Sequence, residues 1–410
     1  MRGMIVDNCV NLGFGQGFLR MMLEEGAVVV AEEELAGAPA GEIELSLDSP
    51  LGKKLEDFSG CRSASILASD ITRPAPTHLL LPPLVRRLKS LGIDDLRIVF
   101  GLGTHRRMTE EEVRRLLKGC IRIPHMQHDL RKCTLLGETS RGTPVEINQT
   151  VASSDLIIAT GNIEYHYYAG YSGGAKAVLP GISSERSVIR NHELMRDPRS
   201  ATGRLDSPVR LDMEEAAGVA GLDFILNVVL NGRNEIVQAV AGDYIQAHRK
   251  GAATVDRMYR RQVKPAEIVV TCAGGRPKDL NLFQAQKALD NAKNAAVPGG
   301  SIILVAECCE GLGHPVFERW AREAGSAEQC WNRFGREYEF GGHKAAFLAK
   351  ESLEHHLILV SALPSERAKM CFFTAARTLP EALGLAWARQ GRDARMIVMP
   401  HGNLTLAVAK

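Results

Sequence analysis

Short runs of aliphatic and β-branched residues alternate along this chain with segments of helical periodicity. "SASILASD", "LRIVFGLGTH" and "SDLIIATGNI" read as buried strands, with "THLLLPPLVRRLKSLG" and "TEEEVRRLLKG" as helices between them. Continuous apolar strands joined through helices are the pattern of a parallel sheet covered on both faces. "RLDMEEAAGVAG" extends the series as a helix, and "LDFILNVVLN" followed by "EIVQAVAGD" reads as a strand pair. A helix over "DYIQAHRKGAATVDRMYRRQVKPA" closes the first half at Lys264-Pro265. "EIVVTCAGG" then opens a second series, with a helix "NLFQAQKALDNAKNAAV" and strands "GSIILVAECC", "HLILVSAL" and "RMIVMPHG". The pattern predicts an α/β protein of two domains, 1–262 and 263–410, each with a mainly parallel sheet flanked by helices. A chain of 410 residues is long enough for two cores.

Composition removes several function classes. The formal net charge is +2, and basic clusters such as "RRMTEEEVRRLLK" alternate with acids, so no nucleic-acid surface is expected. The nine cysteines form no CxxC pair, and Cys308-Cys309 is their one adjacent pair. That usage excludes a disulfide framework and a zinc knuckle. The start, "MRGMIVDNCVNLGFGQGF", lacks the apolar core of a secretory leader, and no run approaches the roughly 20 apolar residues that span a bilayer. A cytoplasmic location without membrane partners is the expectation.

In open α/β sheets, ligands bind beyond the carboxyl ends of strands. Four such loops carry polar residues: "SDITRP" (69–74), "GLGTHRR" (101–107), "GNIEYHYYAGYSGGAK" (161–176) and "CAGGRPKDLNLFQAQK" (272–287). "GYSGGAKA" looks like a phosphate loop, but that motif needs Gly directly before the lysine and Ser or Thr after it. Here Ala175 precedes Lys176 and Ala177 follows. Lys176 on its own is a solvated lysine after a glycine-rich turn. His105 and His166 on their own are loop histidines, but two bases on separate strand-end loops can address opposite faces of one carbon, as racemisation requires. Arg73 offers a planar fork for a carboxylate or phosphate, and Asp70 and Thr72 are equally turn residues or ligands of ribose hydroxyls. Gln284 and Lys287, three apart, share one helical face. His192, in "VIRNHELM", is a lone helical histidine, a weak metal signal by itself.

Taken together, "DITRPAP", "GTHRRMT", "HYYAGYSGGAKAVLPGI", "NHELM" and "GGRPKDLNLFQAQKAL" resemble, in order and spacing, the lactate racemase family, whose members use a nickel-pincer nucleotide. The resemblance spans roughly residues 65–360. It implies an isomerase that inverts C2 of a 2-hydroxy acid, with its active site in an interdomain cleft. It further implies that Lys176 tethers the cofactor covalently and that His192 ligates nickel. His105 and His166 would be the acid-base pair, and Arg73, Gln284 and Lys287 would bind the substrate carboxylate or adjacent oxygens. Asp70 and Thr72 would hold the nucleotide, and cofactor-biosynthesis proteins would load it. Phe283 stands where related sequences can carry tyrosine, and "DSPVR" (206–210) where Asn-Pro is more usual. Ala362-Leu363-Pro364 occupies the stretch where an aromatic cofactor-stacking residue is looked for. These departures direct attention to 2-hydroxy acids larger or more polar than lactate, sugar acids included. An NAD-dependent oxidoreductase would need G-x-G-x-x-G after a strand, and neither "GFGQGF" nor "GLGTHR" fits. A non-catalytic ligand-binding protein on the same scaffold is the other alternative, and it would not need Lys176, His192, His105 and His166 together.

Overall fold

A computed structural model describes residues 5, 6 and 8–410; the other residues of the start read for a leader, 1–4 and 7, lie outside the described set. The chain divides into two compact units, residues 34–258 and residues 1–33 with 259–410.

The unit of residues 34–258 is built on a six-stranded sheet. Its order is Ile236–Gly242, Leu222–Leu230, Leu156–Asn162, Ser63–Ser69, Asp95–Gly101 and His125–Gln127. All neighbours are parallel except the first pair, where the return from Leu230 to Ile236 is too short for a crossover. Ile66, Ile98, Ile158, Phe224 and Leu226 from these strands form one core with Leu80, Leu84 and Leu88 of the helix Thr77–Ser90. Thr109 starts the helix Glu110–Leu116 with a reciprocal cap, its hydroxyl accepting from the Glu112 N–H at 3.2 Å and its own N–H donating to the Glu112 carboxylate at 2.8 Å. That cap fixes the end of the loop carrying His105.

The other unit holds a six-stranded, wholly parallel sheet. Its order is Thr374–Ala376, His356–Val360, Ala296–Val305, Ala266–Cys272, Met396–Met399 and Val28–Val29. This differs from the expected division, which gave residues 1–262 to the first domain. Val28 and Val29 complete the sheet edge beside Met396–Met399. The hairpin Cys9–Phe14 and Gly17–Met22 adds Val10, Leu12 and Met21 to a core with Ile268, Val270, Ile303 and Val398. Val28 and Val29 are apolar, but the sequence does not say which sheet edge a two-residue strand joins. Among the described residues, no helix is long and apolar enough to cross a membrane.

Candidate active site

Three of the loops singled out in the sequence leave adjacent strands of the 34–258 sheet. Ser63–Ser69 lies between Asp95–Gly101 and Leu156–Asn162, so the segments carrying Asp70–Arg73, His105 and His166–Lys176 emerge side by side. The Asp70 carboxylate is buried and accepts from His105 Nδ1 at 2.6 Å. The Thr72 hydroxyl and N–H both donate to its other oxygen, at 2.6 and 3.0 Å. Burial would raise the Asp70 pKa, but the hydrogen bonds from His105 and Thr72 outweigh it and hold the carboxyl below its ordinary value. Carboxylate at Nδ1 places the imidazole proton there and presents the Nε2 lone pair outward, the form of a general base. Asp70 and Thr72, read as nucleotide ligands, thus spend their polar atoms in this structure on orienting His105.

The Leu156–Asn162 strand runs into a small hairpin, Tyr165–His166 against Gly170–Tyr171, and then the 3-10 turn Gly174–Ala177 with Lys176. His166 stacks on Tyr167 (5.2 Å, 20°) and meets the Tyr168 ring edge-on (4.4 Å, 85°). Its Nδ1 accepts a long 3.4 Å bond from the Ala169 N–H. Gly173 and Gly174 have φ of 72° and 56°, a backbone region that side chains disfavour. A Cβ on Gly173 would come within 2.8 Å of Asn227 Oδ1, and one on Gly174 within 3.0 Å of His248 Cδ2. These glycines are required by the packing of the turn against its own unit.

Lys176 and His192 meet at Tyr168. The Tyr168 hydroxyl lies 2.5 Å from His192 Nε2, and the Lys176 ammonium lies 5.7 Å from the centre of the same ring. His192 sits in the last turn of Glu185–Glu193, a helix started by the Ser184 hydroxyl. Burial, and then the nearby Lys176 charge, push its pKa down to about 3, so the imidazole is neutral. Lys176 keeps part of its surface, yet desolvation, then the charges of Arg73 and Arg210, lower its pKa well below the ordinary lysine value, with Glu164 opposing. A desolvated amine with two guanidinium neighbours is drawn toward its neutral, nucleophilic form.

Arg210, unremarked in the sequence, holds this loop in place. Wholly buried, it donates to the carbonyls of Ala169 (3.2 Å), Gly173 (3.4 Å) and Tyr171. Desolvation lowers its pKa to about 10 despite Glu214. "DSPVR" also has a role: the Ser207 hydroxyl donates to the Tyr168 carbonyl at 2.7 Å and caps Pro208–Val219, where Pro208 takes the first turn. Tyr168 lay inside a motif already singled out, but its link to His192, 24 positions on, has no sequence signal.

Gln284 and Lys287 belong to the other unit. Asn281 caps the helix Leu282–Ala292, and both side chains stand exposed three positions apart, as their spacing predicts. Among the described residues, the His/Cys/Asp/Glu group whose ligand atoms converge is Glu351, Glu354 and His355, in that same unit and not that of His192.

The chain matches known proteins along almost its whole length. The lactate racemase N-terminal domain matches residues 14–203 and the lactate racemase C-terminal domain residues 261–407. The lactate racemase of Thermoanaerobacterium thermosaccharolyticum is 34% identical over 403 residues, covering 94% of this chain and 93% of that protein. That of Lactiplantibacillus plantarum is 35% identical over 377 residues, covering 88% and 89%. The solved structure of the T. thermosaccharolyticum lactate racemase apoprotein superimposes with a TM-score of 0.92 at 31% identity, over 97% of this chain and 99% of that one. A crystal structure of a Thermotoga maritima protein, at a TM-score of 0.64 and 19% identity over 90% and 97% of the two chains, shares the fold. With both domains matched in order and about a third of the residues identical across more than nine-tenths of the chain, this protein belongs to the lactate racemase family, a family of isomerases.

Proposed function

We propose that this enzyme racemises or epimerises C2 of a 2-hydroxy acid, using a nickel-pincer nucleotide tethered at Lys176. One observation carries the reading: a desolvated amine, Lys176, and a buried neutral imidazole, His192, meet at Tyr168. The residues fit the group. An acyl-type attachment needs an uncharged amine, and a metal needs an imidazole without a proton on its ligating nitrogen. His192 Nε2 now accepts from the Tyr168 hydroxyl, a donor that a metal ion can replace. His192 would be the protein's ligand to the metal, with the cofactor supplying the other donors. When bound, that group supplies a carbon able to take and return a hydride.

The chain's own residues supply the rest. Arg73, Gln284 and Lys287 bind the substrate carboxylate and adjacent oxygens, which fixes C2 in position. His105, its Nδ1–H held by Asp70, takes the hydroxyl proton on Nε2. His166 serves as the second acid-base residue, returning a proton to the oxygen when its ring is itself protonated at both nitrogens. Cofactor-biosynthesis proteins load the site.

The test is an intact mass of the protein co-produced with those proteins and nickel, beside a chiral assay of D- and L-lactate. The expected result is an added mass that Lys176→Ala removes, together with racemase activity. A mass equal to the bare chain, with activity unchanged in Lys176→Ala, refutes the tether.

A further inference from the structure

Beside the exposed Gln284 and Lys287 lies an aromatic surface with no role so far. Phe283 is four positions from Lys287 on the helix Leu282–Ala292, so its ring flanks the same face. That ring stacks on His314 (5.2 Å, 20°), and Phe340 stands edge-on to His314 (5.5 Å, 77°) and 6.4 Å from Phe283. Phe340 is 39% exposed.

His314 behaves here as an aromatic plate. Burial lowers its pKa, so the ring is neutral, and its Nδ1 accepts from the Val316 N–H at 3.2 Å. Gly341, with φ of 97°, presses on it: a Cβ there would lie 2.4 Å from His314 Nδ1. The buried Lys344 ammonium lies 5.6 Å from the Phe283 ring and 3.9 Å from Asp290. The rings are thus fixed, and they offer carbon next to a cation and an amide.

We propose that Phe283, His314 and Phe340 receive the C3 substituent of the substrate, and that the preferred substrate is a 2-hydroxy acid with an aromatic or large apolar side chain. This rests on the placement of Gln284 and Lys287 at the substrate carboxylate. One exposed ring, Phe340, with two half-buried rings beside a cationic grip suits a molecule with a carboxylate at one end and an apolar group at the other. The methyl of lactate is too small to cover such a surface. A polyhydroxy acid would set its hydroxyls against carbon, where they lose water without gaining partners.

The cofactor-loaded enzyme is assayed by chiral chromatography with 3-phenyllactate, lactate and gluconate. The expected kcat/KM for 3-phenyllactate is at least about tenfold above lactate, the size of effect a few methylenes have in an apolar pocket. Phe340→Ala should shrink that ratio at least about fivefold, with Phe340→Tyr retaining it and unchanged melting temperatures confirming folding. Turnover of lactate or gluconate equal to or above that of 3-phenyllactate overturns the substrate class and leaves the racemase reading standing. If none of the three turns over, the racemase reading fails. Calorimetry of 3-phenyllactate and lactate on the same protein then decides: tighter 3-phenyllactate binding, weakened in Phe340→Ala, supports the surface, and equal or absent binding overturns it.

Discussion

In the 34–258 unit, nitrogens proposed to react are set by their surroundings: His105 by Asp70, His192 by burial and then the Lys176 charge, and Lys176 by desolvation and then the charges of Arg73 and Arg210. In the other unit, Gln284 and Lys287 stand exposed on a well-capped helix. The difference separates two tasks. Groups that exchange protons or form bonds need a defined protonation state, which takes burial and partners. Groups that grip a carboxylate need charge and position, and a rigid helix supplies both.

Substitutions should therefore split along the same line. Lys176→Ala is expected to lose turnover to background, read as nickel content and intact mass alongside the racemase assay. Asp70→Asn should lower kcat roughly 10²- to 10⁴-fold, the range of a lost general base, with little change in KM. A KM effect instead would return Asp70 to ligand binding. Lys287→Ala should mainly raise KM, by about 10- to 100-fold, since a charge-assisted hydrogen bond contributes roughly 1.5–3 kcal/mol. Equal losses in kcat would break the division between the units.

Two smaller effects concern stability. The Lys176 pKa is lowered on folding, so the folded state disfavours the ammonium at neutral pH. Lys176→Met should then raise the melting temperature of the cofactor-free protein, by about 2–4 °C for each kcal/mol relieved in a unit of this size. For Asp70 the sign is the reverse. Its folded pKa lies below the ordinary 3.8, so its contribution is full above that value and is lost as pH falls through the lower folded one. Melting curves from pH 5 down to 2.5 should fall less steeply in Asp70→Asn, and identical slopes would remove the argument.

The sequence shows the loops but not their wiring. Strand-end positions with glycine, histidine or arginine stand out because apolar runs stop abruptly there, and all four loops named from sequence lie at the ends of sheet strands. Asp70 and His105 are 35 residues apart, and nothing local marks Asp70 as a partner rather than a turn residue. Arg210 reads as an ordinary arginine near a helix start until its carbonyl acceptors at 169, 171 and 173 are seen. His314 and Phe340 come from separate loops that only packing joins to Phe283. The division at residue 33 was unreadable for a related reason, since a two-residue strand has too little pattern to announce its neighbours.

That short strand governs the order of assembly. Val28 is made long before its partner, Ile397, more than 360 positions later. The 34–258 segment, whose sheet pairs internally, can complete its core during synthesis, while the other unit waits for the strand Met396–Met399. Expressed as a continuous piece, residues 34–258 should fold by themselves. Residues 259–410 should need the first 33 supplied, in trans or by circular permutation, to cover the sheet edge and the face above it.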